Sequence, residues 1–233
     1  MEKATSINTI NEYMQKYDFY FKKELGQNFL KDENIARKIV SFLDLKDSDI
    51  VIEVGPGLGS LTQIISEKAK KTFAVEIDSR ACSMLEEILN KKKNVEIINK
   101  DFLNINLSEL IKSSNIDGSI KFISNLPYYI TSPIIMKILS SNVHFDKIIL
   151  MMQKEVSKRL SAPINSKDYS SFTLAVNYYA KVNPLFTVPS SVFYPKPKVD
   201  SMVVELQQRK HPPVIVENEE LFFKIIRSAF SGR

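Results

Sequence analysis

The 233-residue sequence has one cysteine, two histidines and no run of 18 apolar residues. A single thiol, Cys82, cannot close a disulfide within the chain; it fits a reducing compartment and excludes a cysteine-rich zinc site. Without a long apolar run no membrane-spanning helix is expected. The N-terminal stretch is polar and carries Glu2, Glu12 and Asp18, which argues against a signal or transit peptide. Metal and membrane therefore drop out of the expectation, and a cytoplasmic protein remains.

What is present is ordinary in bulk. The chain is 44% hydrophobic and 25% charged, enough for one large domain, or one domain plus a fragment of another. Charge is uneven. Residues 1–150 hold 20 basic and 20 acidic side chains, whereas residues 151–233 hold 12 and 7, so the whole net charge of +5 lies in the last third. A basic region beside a catalytic domain suits a polyanionic partner; a solvated surface would carry the same signal.

Apolar, β-branched runs at 49–54, 72–77, 95–99, 121–126 and 147–152 predict strands, with helices over 60–70, 79–90 and 132–141 between them. Asp78 or Ser79 can cap the second of these helices. The alternation predicts a doubly wound α/β sheet. After residue 153 the pattern changes. Residues 154–161 and 169–180 predict helices. Residues 182–188 and 201–207 predict strands joined by a proline-rich loop from Pro189 to Pro197; with no helix between them they should pair antiparallel. Past His211-Pro212-Pro213, residues 218–230 predict an amphipathic helix with Leu221, Phe222, Ile225, Ile226 and Phe230 apolar. The expected division is a cofactor-binding catalytic domain at 1–208 and the start of a small helical domain at 209–233.

Three of the six glycines fall in Val54-Gly55-Pro56-Gly57-Leu58-Gly59, directly after the first strand. Gly55, Gly57 and Gly59 permit a sharp turn and close approach to a ligand. Glu76 ends the next strand, 21 residues after Gly55, where an acid can accept from both hydroxyls of a ribose. Dinucleotide and S-adenosylmethionine sites share this arrangement. Two details favour S-adenosylmethionine over NAD: the Gly-x-Gly-x-Gly spacing, and Glu53 two residues before the turn, where it can meet an ammonium group but would repel a pyrophosphate. Asp101, after the third strand, is placed to accept from the adenine amino group; it would equally serve as a turn cap.

Asn125-Leu126-Pro127-Tyr128 follows the fourth strand, about 70 residues after the glycine turn. Such a segment suits methyl transfer to an exocyclic amino group. The adenine amino lone pair is delocalised into the ring, so the nitrogen is a poor nucleophile. Two acceptors, the Asn125 side-chain oxygen and the Leu126 carbonyl, can draw on its two hydrogens and expose the lone pair. Pro127 fixes its own φ and lacks an N–H, which steadies that carbonyl. Tyr128 offers a ring on which the base can stack. A flipped base needs a second wall, for which Phe193, in a proline-stiffened loop beside Lys196 and Lys198, is the candidate; a loop aromatic packed on the core is the plainer alternative.

Together these segments resemble the ribosomal RNA adenine dimethyltransferases over nearly the whole chain. Lys22 to Asp32 is similar to the family's N-terminal motif, which implies that Asn28 and Leu30 contact S-adenosylmethionine. Glu53 to Gly59, Glu76 and Asp101-Phe102 resemble its cofactor motifs, so Phe102 joins the cofactor set, and Asn125 lies against it. Asn125 to Pro133 resembles the catalytic motif; Met151 to Val156 and Phe193 to Ser201 are further shared segments. Leu25-Gly26-Gln27 and Tyr129 to Pro133 resemble the small-subunit branch. The resemblance implies a Rossmann-like class I methyltransferase sheet and S-adenosylmethionine as donor. It also implies N6,N6-dimethylation of two adjacent adenosines in the 3′-terminal hairpin of small-subunit (16S) rRNA, late in subunit assembly. The implied partner is small-subunit rRNA or the pre-30S particle, with the enzyme acting as a monomer. Family members carry a C-terminal helical domain that helps bind RNA, and this chain stops about one helix into it. Alternatives are the resistance-type enzyme that modifies one adenosine of 23S rRNA and a non-catalytic RNA-binding assembly factor; a dehydrogenase is disfavoured because His144 and His211 both lie outside the motifs.

Overall fold

The run Ile50–Val54 is buried along its whole length, and the rest of the molecule is layered on it. The computed structural model describes residues 3–22, 26–90, 92–127 and 129–231. In chain order the elements are α1 (Ile7–Lys16), β1 (Phe29–Leu30), α2 (Glu33–Ser41), β2 (Ile50–Val54), α3 (Thr62–Ile65), β3 (Lys71–Glu76), α4 (Ser79–Ile88) and β4 (Val95–Asn99). A 3₁₀ turn (Phe102–Asn104) precedes α5 (Leu107–Ser113), β5 (Ile120–Asn125), α6 (Thr131–Leu139), β6 (Lys147–Gln153) and α7 (Lys154–Leu160). The chain continues through α8 (Ser171–Tyr179), β7 (Ala180–Val188), β8 (Phe193–Tyr194), β9 (Ser201–Gln208) and α9 (Glu219–Phe230).

Seven strands form one sheet in the order β4-β3-β2-β5-β6-β9-β7. Strands β2 to β6 are parallel, while β9 runs antiparallel to both β6 and β7. The doubly wound sheet and the antiparallel pair near the end of the chain are thus both present. Side chains of β2 alternate between two cores, as a pleated strand requires. Ile50, Ile52 and Val54 pack with Phe122, Ile148 and the α6 residues Ile134, Ile135 and Ile138. Val51 faces the other side, with Ile123, Ile149 and the α2 residues Ala36, Ile39 and Val40. Helices cover both faces, which is why the parallel strands read as continuous apolar runs. A third core joins α4, through Met84 and Leu85, to Leu58 and to the N-terminal residues Ile10, Tyr13 and Phe19. Asp78 caps α4, accepting from the Arg80 amide.

Two expectations change. The helix over 60–70 is regular only from Thr62 to Ile65. The Ser66 hydroxyl donates to the Gln63 carbonyl at 2.7 Å, and the Glu67 and Lys68 amides donate to carbonyls three residues back, so the helical pattern tightens and ends. The proline-rich loop is not all loop: it contains β8, which pairs antiparallel with β1, Phe29 opposite Tyr194 and Leu30 opposite Phe193. Helices α1, α2 and α5 lie outside the sequence expectations.

Helix α9, capped by Asn218, rests on α8. Phe222 and Phe223 pack against Tyr178, Phe223 also stacks on Tyr179, and Glu219 accepts from both tyrosine hydroxyls. No residue of α9 is buried. Among the described residues no helix is long and apolar enough to cross a membrane.

Candidate active site

The sheet reverses its winding between β2 and β5: β3 and β4 lie beyond one, β6 beyond the other. Ligands bind outside the carboxyl ends of the strands at such a switch point. Val54 is paired with Ser124, whose hydroxyl donates to the Val54 carbonyl at 2.6 Å. Gly55 and Asn125, distant in sequence, therefore sit at neighbouring strand ends. A Cβ on Gly55 would stand 3.7 Å from the Asn125 carbonyl and 3.8 Å from the Pro127 ring, so the two turns are in contact.

One cleft opens over this point. The candidate cofactor residues Asn28, Leu30, Glu53, Gly55, Gly57 and Glu76 line it, and so do Asp101 and Phe102. Asn125, Leu126 and Pro127 line it as well. Gly59 does not. Its φ is +85°, and a Cβ there would lie 2.5 Å from Leu85 Cδ1. That glycine lets α4, through Leu85, pack closely against the turn.

The electrostatics of the cleft are acidic. Glu53 is fully buried on the same face as Val51, and its Oε2 has no hydrogen-bond partner among the described residues. Burial pushes its carboxyl up to about 8, with the negative charge of Glu76 adding to the shift. The Thr62 hydroxyl pulls the other way without reaching hydrogen-bond geometry. Glu76, also buried, is raised by desolvation. Its two oxygens accept from the Asp78 amide at 3.0 Å and the Gly57 amide at 3.3 Å, which opposes that shift. Asp101 is the turn cap the sequence allowed, one oxygen accepting from the Leu103 amide at 2.9 Å, and the residue also lines the cleft.

This donor set suits a cationic ligand. The Gly57 amide is already engaged by Glu76, and the four-residue α3 offers little dipole, so the turn is a poor pyrophosphate cradle. An unpartnered buried carboxylate facing the cleft is what a ligand ammonium would satisfy. S-adenosylmethionine, with its ammonium and sulfonium, fits a cleft lined by these acids; Glu53, Glu76, Asp101 and Phe102 are the residues that would hold it.

At the other wall, the Asn125 Nδ2 donates to the Asn28 main-chain carbonyl at 3.3 Å. A carbonyl only accepts, so the nitrogen must face it and Oδ1 is turned away from it. The Leu126 amide donates to the Met151 carbonyl at 2.9 Å, and the Pro127 carbonyl accepts from Ile130 N and Thr131 Oγ1. The segment is thereby fixed to β6 on one side and to α6 on the other.

Tyr128 lies outside the described residues. Phe193 does not line the cleft: it is 2% exposed, packed in the core with Leu30 and Val203. As placed, its ring is a core contact, and strand pairing with Leu30 is what holds it there. The cleft also contains Ile77, Lys100 and Tyr129, which the sequence reading did not single out. Ile77 carried a signal, an apolar side chain immediately after the ribose acid; it is 45% exposed. Lys100 carried none.

Buried acids lining a cleft at the switch point of a Rossmann-like sheet, with the Asn125-Leu126-Pro127 segment on the facing wall, fit the class that comparison with known proteins establishes: an S-adenosylmethionine-dependent methyltransferase. Residues 18–233 match the family model described as ribosomal RNA adenine dimethylase. The chain is 44% identical over all 233 residues to ribosomal RNA small subunit methyltransferase A of Alkaliphilus metalliredigens, spanning 81% of that relative. It is 46% identical over 221 residues to the protein of the same name from Staphylococcus aureus strain MRSA252, covering 94% of this chain and 74% of that one. Among solved structures it resembles a dimethyladenosine transferase from Plasmodium falciparum, with a TM-score of 0.75 and 32% identity over 87% of this chain and 70% of that one. It also resembles the 23S rRNA methyltransferase ErmE, with a TM-score of 0.69 and 27% identity over 88% of this chain and 79% of that one. The chain belongs to the ribosomal RNA adenine dimethylase family.

Proposed function

We propose that the protein N6,N6-dimethylates two adjacent adenosines in the 3′-terminal hairpin of small-subunit rRNA, acting on the small-subunit particle during its assembly. The observation that carries the chemistry is the Asn125–Asn28 contact, which holds the carboxamide with Oδ1 turned from the Asn28 carbonyl. When bound, S-adenosylmethionine supplies a methyl group already activated on sulfur. The residues of this chain have only to present the nitrogen. Asn125 Oδ1 and the Leu126 carbonyl accept from the two amino hydrogens, and the lone pair is freed from the ring. Fixing those acceptors beforehand, through β6 and α6, is positioning and electrostatic preorganisation rather than acid–base chemistry. Tyr128 provides the stacking surface. Phe193 becomes the opposing wall only if the β8 loop shifts when RNA binds.

Higher identity to the small-subunit enzymes, 44–46% against 27% for the 23S enzyme, supports the small-subunit target. The intact Asn125 to Tyr128 segment speaks against a factor that has lost catalysis, and no histidine lines the described cleft to serve a dehydrogenase. The protein works as a cytoplasmic monomer; residues 1–208 carry cofactor and catalysis, and residues 209–233 belong to a helical part that meets RNA. The test is transfer of tritiated methyl groups to small and large ribosomal subunits from cells lacking the modification, followed by nucleoside analysis. Label should appear in small subunits as N6,N6-dimethyladenosine. Label confined to large subunits, or in any other nucleoside, overturns the proposal.

A further inference from the structure

Lys137 is half-buried in the last turn of α6, and among the described residues no carboxylate lies within ion-pair distance of it. Placing an ammonium there costs free energy unless it is bonded to something, and burial does lower its pKa, with the charge of Asp101 opposing the shift. Its Nζ donates to the Leu103 carbonyl at 2.8 Å and stands 5.7 Å from the centre of the Phe102 ring. Both residues belong to the 3₁₀ turn that Asp101 caps. The turn's other hydrogen bonds are local, Leu103 N to Asp101 Oδ1, Asn104 N to the Asp101 carbonyl and Ile105 N to the Phe102 carbonyl, while the Phe102 ring packs in the core against Phe122. Lys137 adds a polar tie to the Leu103 carbonyl, which that apolar packing does not supply.

The other end of α6 is anchored too. Thr131, its first residue, donates through Oγ1 to the Pro127 carbonyl at 3.0 Å. One rigid helix therefore joins the turn bearing Asn125 to the turn bearing Asp101, with Thr131 and Lys137 as its two attachment points. A methionine at 137 would fill similar volume without burying a charge. The lysine earns its cost only if its donor does something packing does not.

We propose that Lys137 is a positioning residue for the cofactor, holding the Asp101–Asn104 turn so that Asp101 accepts from the adenine amino group at a fixed distance from the methyl-transfer site. This rests on the assignment of Asp101 to the adenine, made above. The experiment is a thermodynamic cycle read by calorimetry, with S-adenosylhomocysteine and its analogue lacking the adenine 6-amino group as ligands. Native protein should bind the analogue about tenfold more weakly, the loss of one hydrogen bond to a charged acceptor. K137M should bind S-adenosylhomocysteine about tenfold more weakly and the analogue almost as the native protein does, so that it discriminates between the two by no more than about twofold. K137R, which restores a cationic donor, should recover discrimination; K137Q serves where K137M does not fold. Native discrimination retained in K137M or K137Q overturns the role of Lys137 and leaves Asp101 standing. No discrimination by the native protein overturns the Asp101 assignment, and the Lys137 proposal with it. Failure of both variants to fold makes Lys137 a residue of the core and likewise overturns the proposal.

Discussion

The Asn125 side-chain nitrogen donates to the Asn28 carbonyl at 3.3 Å across 97 residues of sequence. One contact thus joins the N-terminal segment that lines the cleft to the residue proposed to receive the target amine. Because β1, immediately after Asn28, pairs with β8, the same segment also reaches the proline- and lysine-rich loop.

Asn125→Ala removes an acceptor used in the transfer step. Methyl transfer should fall by about a hundredfold or more, while calorimetric affinity for S-adenosylhomocysteine stays close to native. Asn125→Asp should be no rescue, because it faces an oxygen toward the Asn28 carbonyl and loses the orienting bond. Near-native turnover by the alanine variant would remove this mechanism.

Glu76→Ala removes the acceptor assigned to the ribose hydroxyls. Affinity for the cofactor should drop by about 1–3 kcal/mol, roughly fivefold to 150-fold. The native carboxylate is already held by the Gly57 and Asp78 amides, so its geometry is set before the ligand arrives. Unchanged calorimetric affinity would take the ribose away from this residue.

Glu53 makes cofactor affinity depend on pH. Burial holds its carboxyl at about 8 in the free protein, and a ligand ammonium favours the charged form. Affinity should therefore rise as pH increases toward about 8 and level off above it, with protons released on binding at lower pH. Glu53→Gln should flatten the curve. For folding, the carboxyl sits above its ordinary value of 4.5, so its contribution to stability is greatest below about 4.5 and is lost as pH rises toward about 8. The ligand-free glutamine variant should then melt higher than the native protein at pH 8 and close to it at pH 4. The opposite order at pH 8 would contradict a buried, unpaired acid.

Gly59→Ala strains the backbone at a φ of +85° and drives a methyl group to 2.5 Å from Leu85. Stability should fall by about 1–3 kcal/mol, seen as a lower melting temperature. Adding Leu85→Ala should not restore it, because the backbone strain remains and a cavity is added.

Elements with a strong local signature were readable from the residues. The strands β2, β3, β5 and β6 are apolar runs because both their faces are covered, and Asp78 before an amphipathic stretch announces α4. Helix α1 is mixed in composition, and it and the residues before it are held by contacts distant in sequence, Lys16 to Glu87 and Ala4 N to Gln63, while α5 has only seven residues. The two-residue strands β1 and β8 have no period to detect; they exist because Leu30 and Phe193 are driven into one core. Of the two readings of Phe193, base wall or loop aromatic packed on the core, the structure shows the second, and the β1–β8 pairing is what places the ring there.

The sequence alone determined the chemical inventory: acids flanking a glycine turn, an Asn-Leu-Pro-Tyr segment after a strand, one thiol, and the alternation of the main sheet's strands with the helices between them, all of which follow from residue type and local periodicity. Tertiary structure decided which of these groups meet, which way they point and what charge they carry. Strand order brings Gly55 to Asn125, burial raises Glu53, and the Asn28 carbonyl chooses the face of the amide. Those properties arise from contacts and desolvation between segments that lie far apart along the chain, and no local pattern encodes them.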